Sequence, residues 1–193
     1  MTGNDSRENV KKWNSKYTND DRFHNAPVRK LILQYSSLLP ASGWALEIAG
    51  GIGKTTDYLQ NMGLNVVEMD ISFEALRKAQ RINPAPNYVL ADARSLPLGG
   101  FEFDVICNFY FLERSVFNII RRNLKPGGLL FFETMTLDIL SVRPEIPPSH
   151  LLEQGELQRV FPDWELLHYF EGWVDSDHGK RKSISQIVAR KPL

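Results

Sequence analysis

From residue 44 onward, short apolar runs alternate with amphipathic stretches. WALEIAG (44–50) is an apolar run that ends in glycines, and its length and breakers predict a buried strand. NVVEMD (65–70), NYVLAD (87–92), FDVICNFY (103–110) and LLFFET (129–134) predict four more strands. The intervals predict helices. One spans 55–62 and is stopped by Gly63. One spans 72–83, with Ser72 as N-cap and Ala75, Leu76 and Ala79 facing inward. One spans 113–124 and ends at Lys125-Pro126-Gly127-Gly128. Strands that alternate with helices, each strand apolar on both faces, predict an α/β fold with a parallel sheet covered on both sides.

The flanks have a different texture. Residues 1–10 are polar and read as a frayed end. VKKWNSKY (10–17) predicts a short amphipathic helix carrying Trp13 and Tyr17. Residues 27–39 predict another helix, with Pro27 in its first turn and Pro40 just past its end. Residues 135–149 are Pro-rich and irregular, and a helix follows near 150–160. ELLHYFEGWV and SISQIVAR then predict an antiparallel hairpin at the sheet edge, joined by the polar connector DSDHGKRK (175–182).

Composition narrows the classes. Lys plus Arg and Asp plus Glu both number 23, so the formal net charge is zero. Nucleic-acid or anionic-membrane binding held by bulk charge needs a positive excess, so neither partner is expected. One cysteine, Cys107, excludes an intrachain disulfide and a Cys-rich metal site, and a reducing, cytoplasmic setting is expected. The histidines are scattered without ligand spacing, so no metal is expected. No run approaches the apolar length of a membrane span, and the first residues lack a signal-peptide core.

The most informative segment is Leu46-Glu47-Ile48-Ala49-Gly50-Gly51-Ile52-Gly53-Lys54, between the first strand and a helix. Open α/β sheets bind nucleotide-like ligands at such turns, and glycine lets backbone approach ligand. Three ligands compete. A nucleoside triphosphate is suggested by Gly53-Lys54-Thr55-Thr56, which resembles the deviant Walker loop of partitioning-type ATPases. However, Ala49 replaces the signature lysine, and the next helix is short. A dinucleotide would require glycine at position 56, which is Thr56. The third candidate is S-adenosylmethionine (SAM).

The segment resembles motif I of the class I SAM-dependent methyltransferases, (D/E)-x-G-x-G-x-G. Glu47, Gly51 and Gly53 match, and Ala49 replaces the first glycine. GLNVVEMDISFEAL, LADARSLPL, FDVICN and LKPGGLLFFE resemble the later motifs in order, over about residues 44–134. The resemblance implies a Rossmann-like, doubly wound, seven-stranded sheet whose C-terminal hairpin inserts an antiparallel strand. It implies that Glu47, Ala49, Gly50, Gly51, Gly53, Asp70, Ile71, Asp92, Ala93 and Asn108 bind the cofactor. Asp70 would hold the ribose hydroxyls and Asp92 the adenine amino group. The product would be S-adenosylhomocysteine (SAH).

Lys12-Trp13-Asn14-Ser15-Lys16-Tyr17 resembles the opening of the small tellurite-resistance-type and thiopurine-type methyltransferases, and GELQRVFPDWELLHYFEG resembles the C-terminal part of the former. This implies a single domain over 1–193: a helical lid at 1–40, a SAM-binding core at 44–134, and a substrate-side loop, helix and hairpin at 135–193. The implied acceptor is a small molecule. Trp13, Tyr17 and Tyr110 are its candidate contacts. The packing of Trp13 and Tyr17 against the sheet is an equally simple reading. No His–carboxylate pair marks the end of the fourth strand, so the expected acceptor is one that needs no general base: a thiol or a chalcogen oxyanion. A SAM-binding protein without catalytic activity fits the same residues, because no obligatory catalytic group exists to be missing.

Overall fold

The computed structural model describes residues 3–20, 27–95, 98–175 and 181–193. Its strands are β1 (Trp44–Ile48), β2 (Asn65–Asp70), β3 (Asn87–Leu90), β4 (Phe103–Phe109), β5 (Leu124–Met135), β6 (Glu165–Asp175) and β7 (Arg181–Arg190). They form one sheet in the order β3-β2-β1-β4-β5-β7-β6. The first five are mutually parallel, and β7 runs antiparallel to both β5 and β6. This is the doubly wound, seven-stranded arrangement with an inserted antiparallel strand. The helices are α1 (Gly3–Asn19), α2 (Lys30–Gln34), α3 (Lys54–Asn61), α4 (Phe73–Ile82), α5 (Ser115–Asn123) and α6 (Glu156–Val160).

Strand alternation divides the interior into two layers. On one face Leu46, Ile48, Ile106, Leu130 and Phe132 pack with Phe117 and Ile120 of α5 and with Leu157, Phe161 and Trp164. On the other, Ala45, Val66, Val105, Cys107 and Phe131 pack with Leu31 and Ile32 of α2 and Leu59 of α3. Cys107 is fully buried, which pushes its thiol up and leaves it inert. Strand order reverses between β1 and β4, so a crevice opens beyond their carboxyl ends, the usual ligand position in open α/β sheets.

Five expectations change. The polar N-terminus is not frayed: α1 begins at Gly3, because its side chains find partners on the sheet tips. The helix expected over 27–39 is only α2 plus a 3₁₀ turn, Ser36–Leu38. Arg29 is extended at its start, and Tyr35 leaves helical geometry at its end. β3 is not apolar on both faces; it is an edge strand whose Val89 and Leu90 are exposed. β5 starts five residues earlier than the apolar run, because Leu124 already pairs with Phe103 and the Lys-Pro-Gly-Gly segment lies within a register shift. The helix near 150–160 is reduced to α6, preceded by a 3₁₀ turn at Pro148–His150. Most of the hairpin connector, 176–180, lies outside the described residues. Among the described residues no helix is long and apolar enough to cross a membrane.

Candidate active site

The turn between β1 and α3 is shaped by backbone that few residues adopt. Ala49, Gly51 and Gly53 all have positive φ, at 55°, 71° and 75°. The Gly50 N–H donates to the Met69 carbonyl at 3.1 Å and ties the turn to β2. The glycines serve two purposes. A Cβ at Gly50 would lie 2.6 Å from Glu68 Cγ, and one at Gly53 would lie 2.8 Å from Glu68 Oε2, so these two make room for a glutamate beneath the turn. Gly51 turns its bare face outward, where a Cβ would lie 2.4 Å from the Tyr17 hydroxyl. Only Gly51 therefore provides the close outward approach for which glycines are needed at such a turn.

Asp70 ends β2 beside this face. Its Oδ2 accepts the Gly51 N–H at 3.0 Å, and its Oδ1 accepts the Ser72 N–H at 2.8 Å. Ser72 is also the N-cap of α4, accepting from the Ala75 N–H at 3.2 Å. A carboxylate accepts about four hydrogen bonds, so the two backbone donors leave acceptor capacity on each oxygen. Burial raises the Asp70 carboxyl to about 6, although these backbone donors pull it down.

Glu47 lies inside the turn and accepts the Thr56 hydroxyl at 2.5 Å. Glu68 is its register partner on β2 and is fully buried, with no hydrogen-bond partner for either oxygen among the described residues. Burial raises both carboxyls, and the nearby Glu47 charge raises Glu68 further. The turn is thus underlaid by acidic groups. A triphosphate would meet carboxyls here, whereas a cationic ligand would favour their ionised forms, which argues against the ATPase reading.

α1 lies across the carboxyl ends of β2 and β3. Asn14 Oδ1 accepts the Ser72 hydroxyl at 2.8 Å and the Glu74 N–H at 3.1 Å. The Ser6 hydroxyl donates to Asp92 Oδ2 at 3.1 Å, and Lys78 Nζ donates to the Tyr17 carbonyl. Tyr17 packs with Ile52, Ala75 and Trp13 directly over the turn. Trp13 and Tyr17 therefore staple the helix to the sheet, with Tyr17 above Gly51. The cavity left between Tyr17, Pro27, Arg29, Glu47, Ala49 and Phe109 is about 50 Å³. Ligand pockets run to several hundred Å³, so in this closed form Tyr17 of α1, Pro27 and Arg29 leave little room above the turn.

The remaining candidates separate. Asp92 reaches the tip of β3, but Arg94 grips its carboxylate at 2.7 Å and holds it down at about 2. Ala93 is buried in the 3₁₀ turn that follows, and Ile71 is half-buried beside Asp70. Asn108 is fully buried and donates its amide to the Phe111 carbonyl at 2.7 Å, so it shapes the chain after β4. Tyr110 has φ 57°, unusual for a bulky residue. Its hydroxyl meets Glu133 Oε1 of β5 and Lys182 Nζ of β7. Sequence reasoning did not find Arg29, Glu68, Glu133 or Lys182. A glutamate on an inward position of an apolar strand was the available signal for Glu68 and Glu133; nothing local marked the two cations.

Residues 46–132 match a methyltransferase domain family. The chain is similar to a malonyl-[acyl-carrier protein] O-methyltransferase from Enterobacter lignolyticus, 30% identical over 124 residues, 61% of this chain and 49% of that protein. It spans about half the length of the first curated relatives it matches. Its fold resembles TehB from Haemophilus influenzae, with a TM-score of 0.73 and 17% identity over 93% of this chain and 67% of that one. It also resembles the N-methyltransferase NodS from Bradyrhizobium japonicum in complex with SAH, with a TM-score of 0.72 and 16% identity over 95% of this chain and 98% of that one. The matched segment takes in the glycine turn and most of the five parallel strands, so residues 46–132 carry a methyltransferase domain and the chain has the fold of these methyltransferases.

Proposed function

We propose that the chain transfers a methyl group from SAM to a small-molecule acceptor by in-line displacement, leaving SAH. One observation carries this reading. Asp70 is a buried carboxylate fixed by the Gly51 and Ser72 N–H groups beside the bare face of Gly51, with acceptor capacity to spare for a pair of sugar hydroxyls. The cofactor would be held by Glu47, by the backbone of Ala49, Gly50, Gly51 and Gly53, by Asp70 and Ile71, and by Asp92 and Ala93. Asn108 sets the chain beside them. SAM supplies an already activated methyl group on a positively charged sulfur. The protein's work is then alignment and exclusion of water. α1, pinned at Ser72, Glu74 and Asp92, is the element that can open and close over the ligand.

The relatives do not fix the acceptor: one is named for O-methylation and one for N-methylation. The expectation of a thiol or chalcogen oxyanion rests on the lack of a base at the end of β4. The Tyr110–Glu133–Lys182 cluster stands there instead, a group that such an acceptor would not need.

Calorimetry with SAM and SAH tests the cofactor assignment. Wild type binds both, and Asp70→Ala loses about 1.5–3 kcal/mol, the scale of charged hydrogen bonds. Unchanged affinity in that variant removes Asp70 from the ribose. Transfer of labelled methyl to thiols, chalcogen oxyanions, amines and phenols distinguishes an enzyme from a protein that only binds SAM.

A further inference from the structure

Tyr110 stands where three strands end. Its N–H donates to the Glu133 carbonyl at 2.8 Å, and its left-handed backbone turns the side chain back over β5 and β7. There its hydroxyl donates to Glu133 Oε1 and accepts from Lys182 Nζ, while Lys182 and Glu133 are 3.9 Å apart. Glu133 is only 8% exposed. The Arg29 guanidinium lies 4.9 Å over the Tyr110 ring, and Arg29 and Phe109 line the same cavity as Glu47, Ala49 and Gly50. Arg29 therefore links the cluster to the cavity whose other wall is the glycine turn. A lysine–glutamate ion pair needs no tyrosine between its members. A phenol held between an ammonium and a carboxylate, on strained backbone, is an arrangement that moves a proton.

Resting on the methyltransferase reading above, we propose that Tyr110 is the catalytic base of the acceptor site, relaying the proton to Glu133 under the field of Lys182, and that the acceptor is a hydroxyl compound that arrives protonated. As the acceptor oxygen takes the methyl group, the C–O bond forms, and the electrons of the broken C–S bond return to sulfur. The acceptor's O–H proton passes to the Tyr110 oxygen, and the phenol's own proton passes to the Glu133 carboxylate. Lys182 holds the electron density on the phenol oxygen throughout. Glu133 returns the proton to water, and the site is reset. An aromatic thiol, acidic enough to arrive largely as thiolate, bypasses the relay.

The probes are phenol and thiophenol, equal in shape and unequal in acidity. Tyr110→Phe is expected to slow methyl transfer to phenol by about 10²–10⁴-fold, the range of general-base catalysis, with transfer to thiophenol and SAH affinity unchanged. Lys182→Met is expected to give the same selectivity with a smaller loss. Equal slowing of both probes marks a packing role and overturns the proposal, as does unchanged transfer to phenol or a wild type that methylates thiophenol alone. A second readout needs no turnover. At a pH well below the probe's own pKa, where free para-nitrophenol is protonated and colourless, the probe bound to SAH-loaded wild type turns yellow as its proton enters the relay, and in Tyr110→Phe it stays colourless. A colourless wild-type complex, or no binding of the probe, overturns the proposal. Failure to bind SAH at all removes the methyltransferase reading instead.

Discussion

A glutamate sealed beneath a glycine turn, with neither oxygen hydrogen-bonded among the described residues, is stable chiefly as the neutral acid. Glu68 is in that position, and burial first, then the charge of Glu47, raises it from 4.5 to about 9. Asp70, Asp57, Tyr88 and Thr56 face it as well. The folded protein therefore holds a proton that the unfolded chain releases above the ordinary glutamate value. Stability from this group is full below about pH 4.5 and falls as pH rises toward 9. Glu68→Gln should flatten the decline across pH 5–8 by up to about 1.4 kcal/mol per pH unit, one proton's worth. Urea unfolding at several pH values measures it, and an unchanged slope shows that Glu68 is ionised in the folded state. This residue shows where reading the sequence stops. Asp70 and Ser72 are legible because a strand end, an acid and a cap lie side by side. NVVEMD reads as an apolar strand, and only packing shows that its glutamate lies inward, against two glycines whose bareness it requires.

At the scale of elements, α1 is the most consequential difference between pattern and structure. Trp13 and Tyr17 marked a helix, but its first turns are polar and carry no periodic signal; they are helical because Ser6 and Asn14 reach partners far away in sequence. The helix rests on the site it would have to uncover. Tyr17 is buried between Ile52, Ala75 and Gly51, and this burial pushes its phenol far above the ordinary range. A ligand that binds only when the helix has moved has its apparent affinity reduced by the open fraction. Tyr17→Ala weakens the closed packing. It should lower the melting temperature of the free protein and speed SAH association about tenfold, equivalent to roughly 1.4 kcal/mol of lost closure. Stopped-flow binding decides the point. Association that is unchanged or slower means that the helix does not gate the site. The breakdown of the 27–39 helix has a related cause: Arg29 adopts extended backbone, and its guanidinium lies over Phe109 and Tyr110. Tertiary contact outweighed helical spacing.

At the scale of the molecule, alternation of strands and helices was enough to give the parallel half of the sheet and its crevice, since right-handed crossovers leave few other arrangements. The proposed acceptor side was not legible, because it joins residues that no local pattern relates: Arg29 before β1, Tyr110 after β4, Glu133 on β5 and Lys182 on β7. That side needs the segment after β5 to be anchored so that the terminal hairpin can insert its antiparallel strand. Arg114, at the start of α5, is the anchor. Its Nε and Nη2 donate to the two Glu156 oxygens at 2.8 and 2.9 Å, and the same guanidinium reaches the Ser149 and Leu151 carbonyls at 3.2 Å. Leu151 is thereby held buried, and Leu152 and Leu157 lie in the core with Phe117 and Phe161. Glu156 is 10% exposed in this pair, whereas Arg114 is 43% exposed, so solvent screens one end. Arg114→Ala should cost about 1–2 kcal/mol, mostly from leaving a buried carboxylate with only the Glu153 N–H. If the bidentate pair is the source, Arg114→Ala/Glu156→Ala should cost little more than Arg114→Ala alone, because the stranded charge has gone with its partner. Denaturant unfolding of the four proteins in the cycle gives the coupling. Strictly additive losses would mean that the segment is held by its leucines alone and that the arginine is incidental to how the hairpin reaches Tyr110.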